Sequence, residues 1–336
     1  MPTPNTKFST ALCYGATKSG KTREIGAMSL YIYQTYGKTT RLISADGGGW
    51  ESVQDYVDAG IIEPINISDA ATPLTLLHRL ARGDWEVEGK WLPRDHKDQQ
   101  FSNVGMYAIE GFYSICQLLM GDQIEKGRKI AEDVVGKFAE KDADTGEQFT
   151  FGNASRAHYG FVQQRLLQLI REFQGLCAVG VNQILFTSLE SSGEDEFTNA
   201  KILGPASAGK ALTQILPQRV GDLIHLEIVA KPAAKEGQPP TQEYRAYFQP
   251  HIDSEIRRAW PASLRLTPTL NLELQKDDEL RKGYVVLTDE RGATREGVSR
   301  LWRWRDRTQS KGVEELRKIM NSKTTTLTTT EKERTK

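Results

Sequence analysis

Cysteine is scarce in this 336-residue chain: Cys13, Cys116 and Cys177 are odd in number, far apart and without metal-ligand spacing. A disulfide framework and a zinc module are thereby excluded, and buried reduced thiols are the expectation. There is no run of about 18 apolar residues and no apolar segment of signal-peptide length near the start, so neither a membrane span nor a secretory leader is expected. A soluble protein of a reducing compartment, the cytoplasm, follows. No sign of charge is in excess either, with 44 Lys+Arg against 44 Asp+Glu. That balance excludes a uniformly basic nucleic-acid sleeve and an acidic disordered chain. The five histidines, at 78, 96, 158, 225 and 251, are scattered without metal spacing, no serine or cysteine has a triad context, and no internal repeat is visible.

What is present is an ordinary globular composition, 38% hydrophobic and 26% charged, in a length that suits one large domain with an appendage. Short apolar runs at 9–14, 39–45, 61–67, 104–109, 183–188 and 222–229 read as strands. Between them, helical spacing appears at 22–36, 51–59, 73–81, from 114 onward and at 161–173. Strands alternating with helices predict an α/β fold with a mostly parallel sheet flanked by helices. Residues 83–100 read as a surface insertion with a small hairpin at 87–91, and 121–158 as a second, charged insertion. The expected organisation is a core over 1–250, a small C-terminal extension over 251–320, and a disordered Thr/Lys/Glu-rich tail over 321–336.

The strongest motif lies between the first strand and the first helix. Gly15-Ala16-Thr17-Lys18-Ser19-Gly20-Lys21-Thr22 matches G-x-x-x-x-G-K-[ST] at every fixed position. The glycines let backbone N–H groups turn inward around a phosphate at the positive end of the following helix. Lys21 reaches the β- and γ-phosphates, and the Thr22 hydroxyl is offered to Mg²⁺. Hydrolysis further needs a carboxylate for the hydrated metal and a group to orient water, both from the carboxyl ends of neighbouring strands. Asp46, released by Gly47-Gly48-Gly49, and Glu110, followed by Gly111, stand at such ends.

The order of these elements (phosphate loop, Ile43-Ser44-Ala45-Asp46, then Ala108-Ile109-Glu110) resembles the RecA-like ATPase core. It is most similar to the compact phage-encoded RecA-fold ATPases linked to recombination and single-strand annealing. The stretches Ile184-Leu185-Phe186-Thr187-Ser188, Ile202-Leu203-Gly204-Pro205, Gly209-Lys210-Ala211-Leu212 and Val220-Gly221-Asp222 carry the resemblance to about residue 250. It implies a RecA-like P-loop ATPase that uses ATP and Mg²⁺, with Asp46 activating water and Glu110 holding the metal through water. Thr187 or Ser188 would sense the γ-phosphate, and Lys201, Lys210 or Arg219 would be trans-acting cations in a homo-oligomeric ring or filament. Two departures stand out: Glu110 occupies a place where aspartate is usual, and the sensor strand ends Thr-Ser-Leu-Glu without the usual glutamine or histidine. The implied setting is phage-type DNA recombination, repair or replication in the host cytoplasm.

The zero net charge conceals an asymmetry. Residues 295–336 carry 12 Lys/Arg against 6 Asp/Glu, a local +6 that leaves −6 for the rest. Within that end, Arg300, Trp302, Arg303, Trp304, Arg305 and Arg307 interleave indole with guanidinium, a pattern that suits single-stranded DNA and equally suits an amphipathic helix on the core. Three functions therefore stand at this point: a DNA-linked ATPase, a P-loop kinase or DNA-packaging motor, and a nucleotide-switched binding module with little turnover.

Overall fold

The computed structural model describes residues 9–46, 50–68, 70–135, 156–194, 201–231, 241–252, 259–289, 292–293, 296–308, 310 and 314. The core begins with β1 (Ser9–Gly15), α1 (Lys21–Tyr36), β2 (Thr39–Ser44), α2 (Gln54–Asp58), β3 (Ile62–Asn66) and α3 (Pro73–Ala81). The hairpin β4 (Trp85–Val87) and β5 (Lys90–Leu92) leads into β6 (Val104–Glu110), α4 (Phe112–Val135) and α5 (Arg156–Gly175). Then come β7 (Gln183–Glu194), β8 (Lys201–Pro205), α6 (Lys210–Arg219), β9 (Asp222–Lys231) and β10 (Thr241–Tyr247). Short strands β11 (His251–Ile252) and β12 (Ala259–Trp260), α7 (Pro268–Lys276) and β13 (Tyr284–Val286) follow. Residues 299–308 form a C-terminal helix.

The central sheet runs β13-β10-β9-β1-β7-β6-β2-β3, with β8 paired to β7. The stretch from β9 to β3 is parallel, and β10 and β13 add an antiparallel edge. This is the expected α/β class, a mostly parallel sheet flanked by helices: one strand, β7, separates the phosphate-loop strand β1 from β6, whose last residue is Glu110. All three therefore deliver their carboxyl ends to one edge, where ligands of open parallel sheets bind.

Both faces of the sheet are covered, so its strands are nearly continuously apolar, as parallel strands are. Their alternation divides two cores. Leu12, Tyr14, Tyr107, Ile109, Ile184 and Phe186 point to the layer of α3, α4, α5 and α6. Ala11, Cys13, Met106, Ala108 and Leu185 point to α1. The three cysteines are buried and free.

The chain beyond residue 250 is built into this second core. Leu274, Leu280, Val285, Val298, Leu301 and Trp302 pack with Ile25, Met28 and Ile32 of α1, and β13 extends the main sheet. Helix α4 runs on to Val135, and residues 136–155 of the charged insertion expected over 121–158 lie outside the described residues. The expected tail, 321–336, lies outside them too. Within the segment expected as an insertion, 83–100, β4 and β5 pair as a hairpin, and the segment is anchored by a buried arginine. Arg41, 1% exposed, donates to the Gln99 side chain, the Gln99 carbonyl and the Tyr107 hydroxyl, and stacks over Trp85.

Candidate nucleotide site

The turn from β1 to α1 takes its shape from two left-handed residues, Lys18 (φ 64°) and Gly20 (φ 97°), with Ser19 N–H donating to the Ala16 carbonyl at 3.2 Å. Gly15 has no room for a side chain: a Cβ there would stand 2.2 Å from the Leu226 carbonyl oxygen of β9. Gly20 precedes α1 directly, so the free N–H groups of the first helical turn open toward the loop, the arrangement that receives phosphate. A cavity of ≈ 510 Å³ runs along the loop from Lys18 to Glu24 and is lined further by Ser52, Tyr244 and Leu287.

Lys21 folds over its own loop, Nζ donating to the Gly15 carbonyl at 3.1 Å and the Ala16 carbonyl at 2.6 Å. Burial lowers its pKa, and three carboxylates oppose that shift: Glu190 most, then Asp46, then Glu110. All three acids act on one ammonium group. A phosphate arriving beside Lys21 would meet a cation already desolvated, which strengthens the attraction.

Glu110 is the residue most altered by its surroundings. Burial raises its pKa to about 7, with the nearby Asp46 charge adding to the rise against the Thr22 hydrogen bond. The Thr22 hydroxyl donates to Glu110 Oε1, while Glu110 Oε2 is buried without a hydrogen-bond partner. Such an atom is costly unless something binds it. A hard divalent cation fits: hydroxyl and carboxylate oxygens are its preferred donors, and Mg²⁺ ordinarily takes one or two protein ligands and completes its shell with water and phosphate oxygens. Thr22 and Glu110 would hold it, and the bound ion would neutralise charge on the phosphates. Among the described residues no group of three His, Cys, Asp or Glu side chains lies where it could hold a metal unaided.

Asp46 lies two residues beyond Ser44, whose sheet partner is Glu110. It is exposed, accepts a hydrogen bond from the Ser114 hydroxyl, and rests against Gly111. A Cβ on Gly111, whose φ is +72°, would come within 2.8 Å of Asp46 Oδ1, so the glycine leaves space for that carboxylate. Asp46 and Glu110 thus share one edge of the site.

The other sequence-selected residues fall differently. Thr187 and Ser188 are each 1% exposed. The Thr187 hydroxyl accepts from Gly111 N–H at 3.3 Å, and the Ser188 hydroxyl donates to the Ala206 carbonyl at 2.7 Å. Both hydroxyls serve the backbone. The strand runs on past them, and Glu190 is the acid that it brings toward Lys21. Its signal in the sequence was the unusual Thr-Ser-Leu-Glu ending; its reach to the site depends on β7 lying beside β1, where Gly15 pairs with Leu189. The side chains of Lys201 and Lys210 lie outside the described residues. Arg219 is exposed at the end of α6, lining a cavity with Ser9, Thr10 and Asp222 at the opposite edge of the sheet.

The tryptophan–arginine segment is mostly committed to the fold. Trp302 is 2% exposed in the α1 core, and Arg305 is buried in an ion pair with Asp222 at 2.9 Å. For these two residues the expectation of nucleic-acid contact is corrected: burial leaves neither an indole face nor a guanidinium free. Arg303 donates to Gln34 and lies over the Tyr31 ring, and Arg300 pairs with Glu279. Arg300, Arg303, Trp304 and Arg307 all line one surface cavity of ≈ 610 Å³.

No protein-family model and no curated protein sequence matches the chain. Among solved structures, it is similar to the flagellar accessory protein FlaH from Methanocaldococcus jannaschii, at 9% identity and a TM-score of 0.35, covering 71% of this chain and 76% of FlaH. The fold class rests on the strand order of the sheet and not on that likeness. Among the described residues, no helix is long and apolar enough to cross a membrane.

Proposed function

We propose that the protein binds a nucleoside triphosphate, ATP, with Mg²⁺ at the Gly15–Thr22 loop and hydrolyses it. The observation that carries this reading is the pairing of Thr22 with Glu110, whose second oxygen is buried and unpartnered directly beside a phosphate-shaped loop. Lys21 and the α1 N-terminus bind and orient the phosphates. Glu110 and Thr22 present oxygens to the metal. Asp46, held by Ser114 at the exposed rim, accepts a proton from an attacking water. Burial makes Glu110 hold its proton more tightly, which disfavours Glu110 for that role.

The test is turnover measured together with nucleotide binding. Asp46→Asn is expected to retain ATP binding and to lose about 10²-fold in turnover. Normal turnover in Asp46→Asn with none in Glu110→Gln would transfer the role of base to Glu110. Tight ATP binding with no turnover in the wild type would favour the nucleotide-switched module.

The DNA-linked setting belongs to this proposal as well. Its support is the +6 charge of residues 295–336 and the four residues Arg300, Arg303, Trp304 and Arg307 that reach the surface. Single-stranded DNA is expected to stimulate turnover, and an ATPase rate indifferent to DNA would remove that part of the reading.

A further inference from the structure

The first turn of α1 is shared between the phosphate site and the C-terminal extension. Lys21 and Thr22 serve the former, whereas Glu24, on the same turn, reaches the latter. Glu24 is 4% exposed and still lines the nucleotide cavity. Its Oε2 accepts the N–H of Val298, a bond that spans 274 positions of sequence. Val298 stands directly before the C-terminal helix 299–308, so this N–H belongs to the donors that a helix start leaves without a partner of its own. Gly297 completes the contact. Its φ is +47°, and a Cβ there would stand 2.3 Å from Glu24 Oε2 and 2.9 Å from Ala27 Cβ. Glycine alone tolerates both that conformation and that approach. Further along, Val298, Leu301 and Trp302 share a core with Ile25 and Met28, Asp306 accepts from the Tyr31 hydroxyl, and Arg303 donates to Gln34. The helix is thus held to α1 from Glu24 to Gln34, and of these contacts the one at Glu24 also borders the nucleotide cavity.

An apolar side chain would fill the place of Glu24 without the cost of burying a carboxyl group. That cost is visible: burial pushes the Glu24 carboxyl up to about 7, against the Val298 hydrogen bond, which pulls it down. What the carboxyl adds is an acceptor beside two helix starts, that of α1 and that of the C-terminal helix, both of which carry partial positive charge. We propose that Glu24 is a positioning residue for the nucleotide site. It fixes the first turn of α1, and with it Lys21 and Thr22, against the Gly297–Val298 start of the C-terminal helix. Nucleotide binding and docking of that helix therefore strengthen one another. The proposal rests on the nucleotide reading above.

The coupling follows from ordering a single turn. Phosphates held by the free N–H groups of α1 order its first turn. A turn already ordered presents Glu24 to Val298 with less conformational freedom left to lose, and by reciprocity a docked C-terminal helix prepares the turn for phosphate. The consequence falls mainly on turnover. Phosphoryl transfer is governed by how accurately the phosphates, the metal and the attacking water are placed, and small displacements of the groups that hold them are costly. The phosphate contacts themselves come from the loop backbone and Lys21, which remain when Glu24 is replaced.

The experiment combines hydrogen–deuterium exchange of the full chain, with and without Mg-ATP, with turnover and ATP binding of two variants. In the wild type, peptides covering 298–308 are expected to exchange about tenfold more slowly when nucleotide is present. In Glu24→Ala that response is lost, and turnover falls about tenfold while the ATP dissociation constant changes by less than about threefold. Gly297→Ala, whose site is not part of the nucleotide cavity, is expected to lower turnover in the same way. It should lower turnover less in the Glu24→Ala background, because the carboxyl that its methyl group meets is gone. Should Glu24→Ala fail to fold, the wild-type exchange and Gly297→Ala still decide. Slower exchange at the start of α1 with no change at 298–308 overturns the proposal, as does unchanged turnover in both single variants or full additivity in the double variant. Absence of any ATP binding in folded wild-type protein overturns the nucleotide reading itself and this proposal with it, an outcome distinct from binding without coupling.

Discussion

At the amino-terminal edge of the sheet, Asp222 has all its needs met. Its Oδ2 accepts from the Ser9 hydroxyl at 2.8 Å and from Arg305 at 2.9 Å, and its Oδ1 from Arg265 N–H at 2.9 Å. At the carboxyl edge of the same strands, Glu110 shares one oxygen with Thr22 and leaves the other buried and unbonded, while Glu190 and Asp46 crowd the same lysine. One fold thus contains a buried acid that holds the structure together and another, Glu110, that burdens it. Groups left unsatisfied by a fold that satisfies its acids elsewhere are where a ligand is expected to complete the bonding.

The comparison can be broken most severely at Asp222. Asp222→Ala would leave Arg305 buried without its counter-ion and is expected to cost about 3–5 kcal/mol of stability, read from denaturant unfolding. A loss under 1 kcal/mol would show that water replaces the carboxylate at that edge. Lys21→Ala is expected to do the reverse: little change in unfolding midpoint, but an ATP turnover lower by about 10²–10³-fold. A protein that unfolds more easily while still turning over ATP would contradict the assignment of the two edges.

Glu110→Gln sharpens the contrast through pH. The folded-state pKa of Glu110 is about 7, above its ordinary value, so native Glu110 holds its proton where the unfolded chain has lost it. Its contribution to stability is therefore complete below pH 4.5 and is lost as pH rises toward 7. The glutamine variant is expected to match the wild type in acid and to be more stable above pH 7, by on the order of 1–3 kcal/mol. Unfolding midpoints measured at pH 4 and pH 8 decide it, and equal offsets at both would show that burial does not penalise this carboxylate. In the wild type, added Mg²⁺ with nucleotide should raise the pH 8 midpoint more than the pH 4 midpoint.

The smallest expected effect concerns the basic end. A cut after Arg295 would remove Val298, Leu301, Trp302 and Arg305 from the α1 core and from Asp222, and so would report on folding. A cut after Ser310 spares them. It is expected to leave stability unchanged and to flatten modestly the salt dependence of binding to single-stranded DNA. An unchanged slope would locate any DNA site elsewhere.

How much of this was legible beforehand differs from element to element. Pro73–Ala81 and the paired strands of the core announce themselves, because a helix that buries one face and a strand buried on both leave their periods in the sequence. Helix α6 did not: Pro217 lies inside it, where proline lacks the N–H for the helical hydrogen bond and crowds the preceding turn, so the local signal reads as a helix end. The Arg300–Arg307 segment was readable as amphipathic, yet which tryptophan turned inward was not, since Trp302 and Trp304 differ only in the face that α1 happens to cover. Glu190 was visible as an oddity of one strand's ending. Its partner, His225, looked like an unrelated histidine.

The sequence alone determined the alternation of strands and helices, the phosphate loop and the two acids that end β2's segment and β6, because each depends on residues within a few positions of one another. Strand order was decided only in three dimensions. Placing β7 beside β1 carries Glu190 toward Lys21 from 169 positions away, and placing β9 on the other side of β1 brings His225 to Glu190. Such contacts leave no local periodicity, and burial is what shifts Glu110 and Lys21. A carboxylate's solvent access and charged neighbours belong to the folded state, and with them its capacity to bind a metal or exchange a proton.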